Sequence, residues 1–116
     1  MAPIIDAHIY LYPPSVFNQP RAWAQKRGEL HWADCVDPLG KKSLQGWADI
    51  DQLLRDMDST EIDKVVLVGW YWQKEETCEE QNRWYSEWIK KHPDRLIGFA
   101  NVHPAAGKQA LDEIRK

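Results

Sequence analysis

The chain predicts an α/β fold, a parallel sheet of alternating β and α units. Three observations predict it. Lys64-Val65-Val66-Leu67-Val68-Gly69 is a near-continuous aliphatic run, the signature of a strand covered on both faces. Leu96-Ile97-Gly98-Phe99-Ala100-Asn101-Val102 is a second such run. Between them lies a helical stretch, the crossover that parallel strands need.

The elements follow in order. Ile4 and Ile5 lead into a stretch that alternates, with Asp6, His8, Tyr10 and Tyr12 on one side and Ala7, Ile9 and Leu11 on the other. Strand side chains alternate between faces, so Asp6 and His8 are expected to point the same way. Pro13 and Pro14 stop the strand. A long excursion, residues 14–46, comes next. Ser15 can cap a first turn, Pro20 suits the first turn of a helix over 20–27, and Gly28 suits its end. Residues 29–36 read as a second short helix with Leu30 and Ala33 on one side, and residues 37–42 as a turn. Excursions of this length are usually functional. Trp23, Trp32 and Trp47 argue against a merely solvated loop.

Asp49 or Asp51 caps the next helix, which runs to about Ser59. Its stripe of Ile50, Leu53, Leu54 and Met57 is core. After the 64–69 strand, Thr77 is the expected cap of a helix through Lys91, with Trp84, Trp88 and Tyr85 inward. His92-Pro93 ends it, because a residue before proline leaves helical geometry. After the 96–102 strand, Ala105 starts a last helix with Ala110, Leu111 and Ile114 as its apolar side.

Composition bounds the function. The 116 residues suffice for one domain, 1–116. With 43% hydrophobic and 28% charged residues the chain is neither disordered nor membrane-spanning. A net charge of -3 argues against nucleic acid as a partner. No apolar run approaches the ~20 residues of a membrane span. No basic leader precedes an apolar core, and Cys35 and Cys78 show no ligand-like spacing. These features predict a cytoplasmic protein. Seven tryptophans imply a large apolar core or an aromatic-lined pocket.

Parallel α/β folds bind ligands beyond the C-terminal ends of their strands. The first strand ends on Asp6, His8 and Tyr10, the second on Trp70, Tyr71 and Trp72, the third on Asn101 and His103. The opposite ends carry ordinary turn residues such as Asp63, Asp94 and Arg95. A carboxylate and an imidazole two apart can form half of a metal site. The plain alternative is a strand end whose polar residues face water. Nothing resembles a Walker loop, GxGxxG or GxSxG. Cys78 reads as a buried cysteine. Glu75, Glu76, Glu79 and Glu80 suit a helix N-terminus. His31 and His92 read as structural or exposed.

Asp6-Ala7-His8-Ile9-Tyr10-Leu11-Tyr12-Pro13 resembles the opening strand of the amidohydrolase superfamily, in its amidohydrolase-2 branch. Leu54-Arg55-Asp56-Met57-Asp58 with Ile62 to Gly69, then His92 to Ala100 and Val102-His103-Pro104, resemble the next helix, turn and strands. The resemblance implies the first three βα units of a (β/α)8 TIM barrel. It also implies a divalent metal, commonly zinc, and a small-molecule substrate. Members hydrolyse C–N or C–O bonds through metal-activated water, or decarboxylate aromatic acids. Hydrolytic members carry two histidines flanking one residue on the first strand. Here His8 matches the first, and Tyr10 stands at the second. Some decarboxylases pair an acidic residue with the histidine two places on, as Asp6 and His8 do. Asp6 and His8 are thus the expected metal ligands. Tyr10, Trp70, Tyr71, Trp72, Asn101 and His103 are expected to line the substrate pocket. No general base is assigned.

A whole barrel takes ~250 residues, and the family's other ligands come from later strands. The expected form is therefore the N-terminal part of a barrel, inactive alone. One face and both edges of its sheet would need a missing C-terminal part or self-association to cover them. The competing expectations are a non-catalytic α/β fragment that self-associates and a small flavodoxin-like domain. The latter lacks the expected phosphate loop.

Overall fold

The structure is a computed structural model that describes residues 2–42 and 46–116. Residues 43–45, which belong to the 14–46 excursion, lie outside the described set. The elements run β1 (Ile5–Ile9), α1 (Pro14–Phe17), α2 (Pro20–Arg27), α3 (Leu30–Val36), α4 (Ile50–Thr60), β2 (Lys64–Leu67), α5 (Glu75–Lys91) and β3 (Leu96–Gly98). A short 3-10 turn (Pro104–Ala106) and α6 (Lys108–Ile114) follow. The three strands form one parallel sheet in the order β1-β2-β3. This is the α/β architecture expected, consistent with the first βα units of a TIM barrel.

Helix α4 and helix α5 cover one face of the sheet. Val65, Leu67 and Leu96 pack there against Met57 of α4 and Tyr85 of α5. Val66 and Ile97 pair side by side on the other face. Ile97 is 39% exposed, and Phe99, just past β3, is 61% exposed. Among the described residues β1 and β3 each pair on one side only.

The excursion forms a second core of its own. Trp23, Trp32, Ala33 and Val36 pack with Tyr12, Trp72 and Cys78, and Trp47 and Trp84 close around them. The tryptophan density therefore serves mostly packing. Trp32 is wholly buried and donates its indole N–H to the Tyr12 hydroxyl at 3.1 Å.

Several elements differ from expectation. Both aliphatic runs form shorter strands than their length suggests. Past Leu67 and Gly98 the backbone turns to side-chain partners. The Trp70 N–H donates to Gln81 Oε1 and the Asn101 N–H to Asn82 Oδ1. Helix α5 starts at Glu75, before Thr77. Its N-cap, Lys74, has no side-chain cap of its own, and Glu29 of the excursion supplies the acceptor instead. Asp49 does cap α4, accepting the Gln52 N–H at 2.8 Å. On α5 the deepest ring is Tyr85, with Trp84 and Trp88 only half-buried. Leu111 and Ile114 of α6 are exposed, and Ala110 is buried.

Candidate functional site

His8 and Tyr10 lie at the C-terminal end of β1, and Trp70 to Trp72, Asn101 and His103 follow β2 and β3. Asp6, expected at the same end, is instead the second residue of β1, opposite Val65. On β1 the pairing with β2 shifts between Asp6 and Ile9. Asp6 stands opposite Val65 and Ile9 opposite Leu67, so β1 carries one extra residue there. Such a bulge breaks strict alternation. The Asp6 carboxylate stabilises it locally, since Oδ1 accepts the His8 backbone N–H at 3.0 Å. Short acidic side chains readily bond backbone two residues on.

From His8 an aromatic row crosses the strand ends. The His8 ring meets Tyr10 edge-on at 5.1 Å, and Tyr10 meets Trp70 at 5.7 Å. Trp70 stacks on Tyr71 at 4.6 Å with 19° between the rings. Offset and edge contacts of this kind are favourable for aromatic pairs. Four of the expected residues are thus joined into one surface.

The others take different places. Trp72 is buried in the aromatic core between Trp23 and Trp32, and its indole N–H donates to Gln81 Oε1 at 2.8 Å. Asn101 holds the backbone. Its side-chain amide donates to the Trp70 carbonyl, and its main chain is clamped on both sides by Asn82. The His103 backbone N–H donates to Glu75 Oε2 at 2.5 Å, and its Nδ1 accepts the Ala105 N–H at 3.1 Å.

Two residues beyond the expected set stand beside this end of the sheet. Glu29 is wholly buried, and its carboxylate accepts the N–H groups of Gln73 and Lys74 at 2.9 and 2.8 Å. Its Oε2 lies 3.7 Å from His31 Nδ1. Neither ring nitrogen of His31 has a hydrogen-bond partner among the described residues. Only the pairing of segments far apart in the chain brings them here, and no local motif announces it.

A family model described as amidohydrolase matches residues 5–116. The chain belongs to the amidohydrolase family. No curated protein and no solved structure matches it.

Amidohydrolases generally use divalent metal ions. The donors here do not complete such a site. Among the described residues no group of three or more His, Cys, Asp or Glu side chains could hold a metal. Asp6 and His8 are two donors, one of them already accepting a backbone N–H, whereas zinc takes four ligands, at least three of them from protein. No described helix is long and apolar enough to cross a membrane.

Proposed function

We propose that this amidohydrolase chain is the N-terminal portion of a metal-dependent hydrolase acting on a C–N or C–O bond of a small molecule, inactive alone. Asp6 and His8 are then half of a divalent-metal site, zinc by preference, completed by donors from further strands. One observation carries this proposal. His8 sits on an edge strand, next to the last residue of β1, at the sheet end where parallel α/β folds place their sites, with Asp6 two residues before it. The single-sided pairing of β1 and β3 and the exposure of Ile97 and Phe99 support further structure over the sheet. That structure is either the rest of a barrel or, in the non-catalytic alternative, a second copy of this chain. The free thiols of Cys35 and Cys78 support a reducing, cytoplasmic setting.

Tyr10 favours a second function, non-oxidative decarboxylation of an aromatic acid. It stands where hydrolytic members carry a second histidine, and with Trp70 and Tyr71 it lines an aromatic surface.

Calorimetric titration of zinc into the chain and into His8→Ala tests the metal role. Weak binding by the wild type that His8→Ala loses is expected. Equal binding by the two removes His8 from any metal site.

A further inference from the structure

We propose that the cleft between the end of α2 and the first turns of α5 is a second binding site, one that takes a compact anion of the phosphate class. Its volume is about 410 Å³, and its lining includes Lys26, Arg27, Lys74, Glu76, Glu80 and Arg83. It goes beyond the function proposed above, because neither the Asp6/His8 pair nor any aromatic residue of the strand ends belongs to it.

Charge singles the cleft out. The chain carries a net charge of -3, yet here four cations face two carboxylates. One pair is settled internally. Arg27 Nε and Nη2 donate to the two Glu80 oxygens at 2.7 and 2.9 Å, and the guanidinium lies 4.5 Å over the Trp23 ring. A two-pronged contact of this kind fixes both side chains. Lys26, Lys74 and Arg83 are left with Glu76, and none of these four belongs to an ion pair among the described residues.

Helix electrostatics account for only part of this. Lys26 and Arg27 stand in the last turn of α2, where a cation meets the negative end of the helix dipole. Lys74 stands at the opposite kind of end. It is the N-cap of α5, where the dipole favours negative charge. Its stem is packed there, since a Cβ on Gly28 would lie 3.1 Å from Lys74 Cε. A cation held against the helix dipole and among other cations is a local conflict, and a bound anion resolves it.

The surroundings define the anion. Four cations against two carboxylates leave two positive charges, which a phosphate dianion matches and a single carboxylate does not. Helix α5 also carries Glu75, Glu79 and Glu87. An extended polyanion such as an acidic peptide would run off the cations onto these carboxylates. A phosphate or diphosphate group stays among Lys26, Lys74 and Arg83 and offers oxygens to all three. The Glu29 carboxylate is wholly buried and already holds the Lys74 N–H and the Thr77 hydroxyl.

Pyrophosphate is the probe, and hexaglutamate is the extended polyanion set against it. Both are titrated calorimetrically at low salt into the full chain, Lys26→Gln, Lys74→Gln, Arg83→Gln and Lys90→Gln. Lys90 is an exposed cation in the last turn of α5, outside the cleft. Pyrophosphate is expected to bind about tenfold tighter than hexaglutamate. Each of the three cleft variants should weaken it about fivefold, the upper range for one exposed charge pair. Lys90→Gln should leave it unchanged. Absent pyrophosphate binding, hexaglutamate binding as tight as pyrophosphate, or full affinity in any cleft variant would each overturn the proposal. An equal loss in Lys90→Gln would mean attraction to charge anywhere on the chain and overturn it as well. Lys26, Lys74 and Arg83 are exposed, so three separate variants keep the test valid should one fail to fold.

Discussion

The Glu29 carboxylate accepts the backbone N–H of Lys74 at 2.8 Å, 45 residues along the chain. A helix N-terminus has backbone donors without partners of their own, usually met by a cap close in sequence. Helix α5 takes its acceptor from the excursion instead. The Gln73 N–H and the Thr77 hydroxyl join on the same carboxylate. One buried side chain therefore ties the excursion to the β2–α5 connection, and so to Tyr71 and Trp72.

Removing that carboxylate strands its donors in a buried place. Glu29→Ala is expected to cost about 3 kcal/mol, since an unsatisfied buried donor costs ~1–3 kcal/mol. Glu29→Gln keeps one carbonyl acceptor and should cost clearly less. Urea unfolding of the three proteins checks this. Equal midpoints for wild type and Glu29→Ala would show that the cap carries no stability.

Cys78 makes stability depend on alkaline pH. Burial pushes its thiol up from 9.0 to about 12, and the Glu75 and Glu29 carboxylates push the same way. The folded state thus holds a proton that the unfolded chain gives up above pH 9. Its contribution is whole below pH 9 and is lost as pH rises toward 12, by up to about 1.4 kcal/mol per pH unit. Burial raises Tyr12 and Tyr85 as well, which steepens the loss above pH 10. Urea unfolding at pH 8, 9 and 10 should show Cys78→Ala losing less stability than wild type between pH 9 and 10. Parallel losses would remove Cys78 as the cause.

The parallel sheet was legible because Val65 to Val68 and Leu96 to Ala100 are apolar without alternation, the pattern of a strand suited to cover on both faces. The cap on α4 was legible because Asp49 and Gln52 are neighbours. The cap on α5 was not, since Glu29 and Lys74 meet only after the excursion folds back. The aromatic row was half legible. Tyr10, Trp70 and Tyr71 could be placed at strand ends, but adjacent positions gave no sign that Trp72 turns into the core while Tyr71 turns out. His31 read as structural or exposed because its surroundings come from other segments. The bulge at Asp6 was hidden for a similar reason, as an alternating pattern does not reveal an extra residue in the pairing.

Ile97 and Phe99 test what covers the sheet. An exposed apolar face beside an unpaired strand edge favours association. The chain alone is expected to sediment above its 13.6 kDa monomer mass. Ile97→Lys with Phe99→Lys should return it to the monomer with α5 intact by circular dichroism. A wild type that is monomeric at all concentrations would rule out the self-association alternative and leave further strands as the cover.

Gly69 is the last fixed point of the site. A Cβ there would press on Gln81 Nε2 and Asn101 Nδ2, the latter at 2.8 Å. Neither amide can swing away freely. Gln81 is wholly buried and holds Trp72 and the Trp70 N–H, while Asn101 holds the Trp70 carbonyl. At Gly98 the added Cβ would press on the Cδ1 end of Ile89, at 2.5 Å, which can rotate, and otherwise meets Ile89 Cγ1 and Tyr85 Cβ at an ordinary 3.9 Å. Gly69→Ala is therefore expected to cost about 2–3 kcal/mol by overpacking, and Gly98→Ala about 1 kcal/mol. Gly69→Ala should also shift the tryptophan emission as Trp70 loses its anchors. Urea unfolding with fluorescence detection reads both. If Gly98→Ala proves the costlier of the two, the Gln81–Asn101 clamp is not what holds Trp70 in the aromatic row.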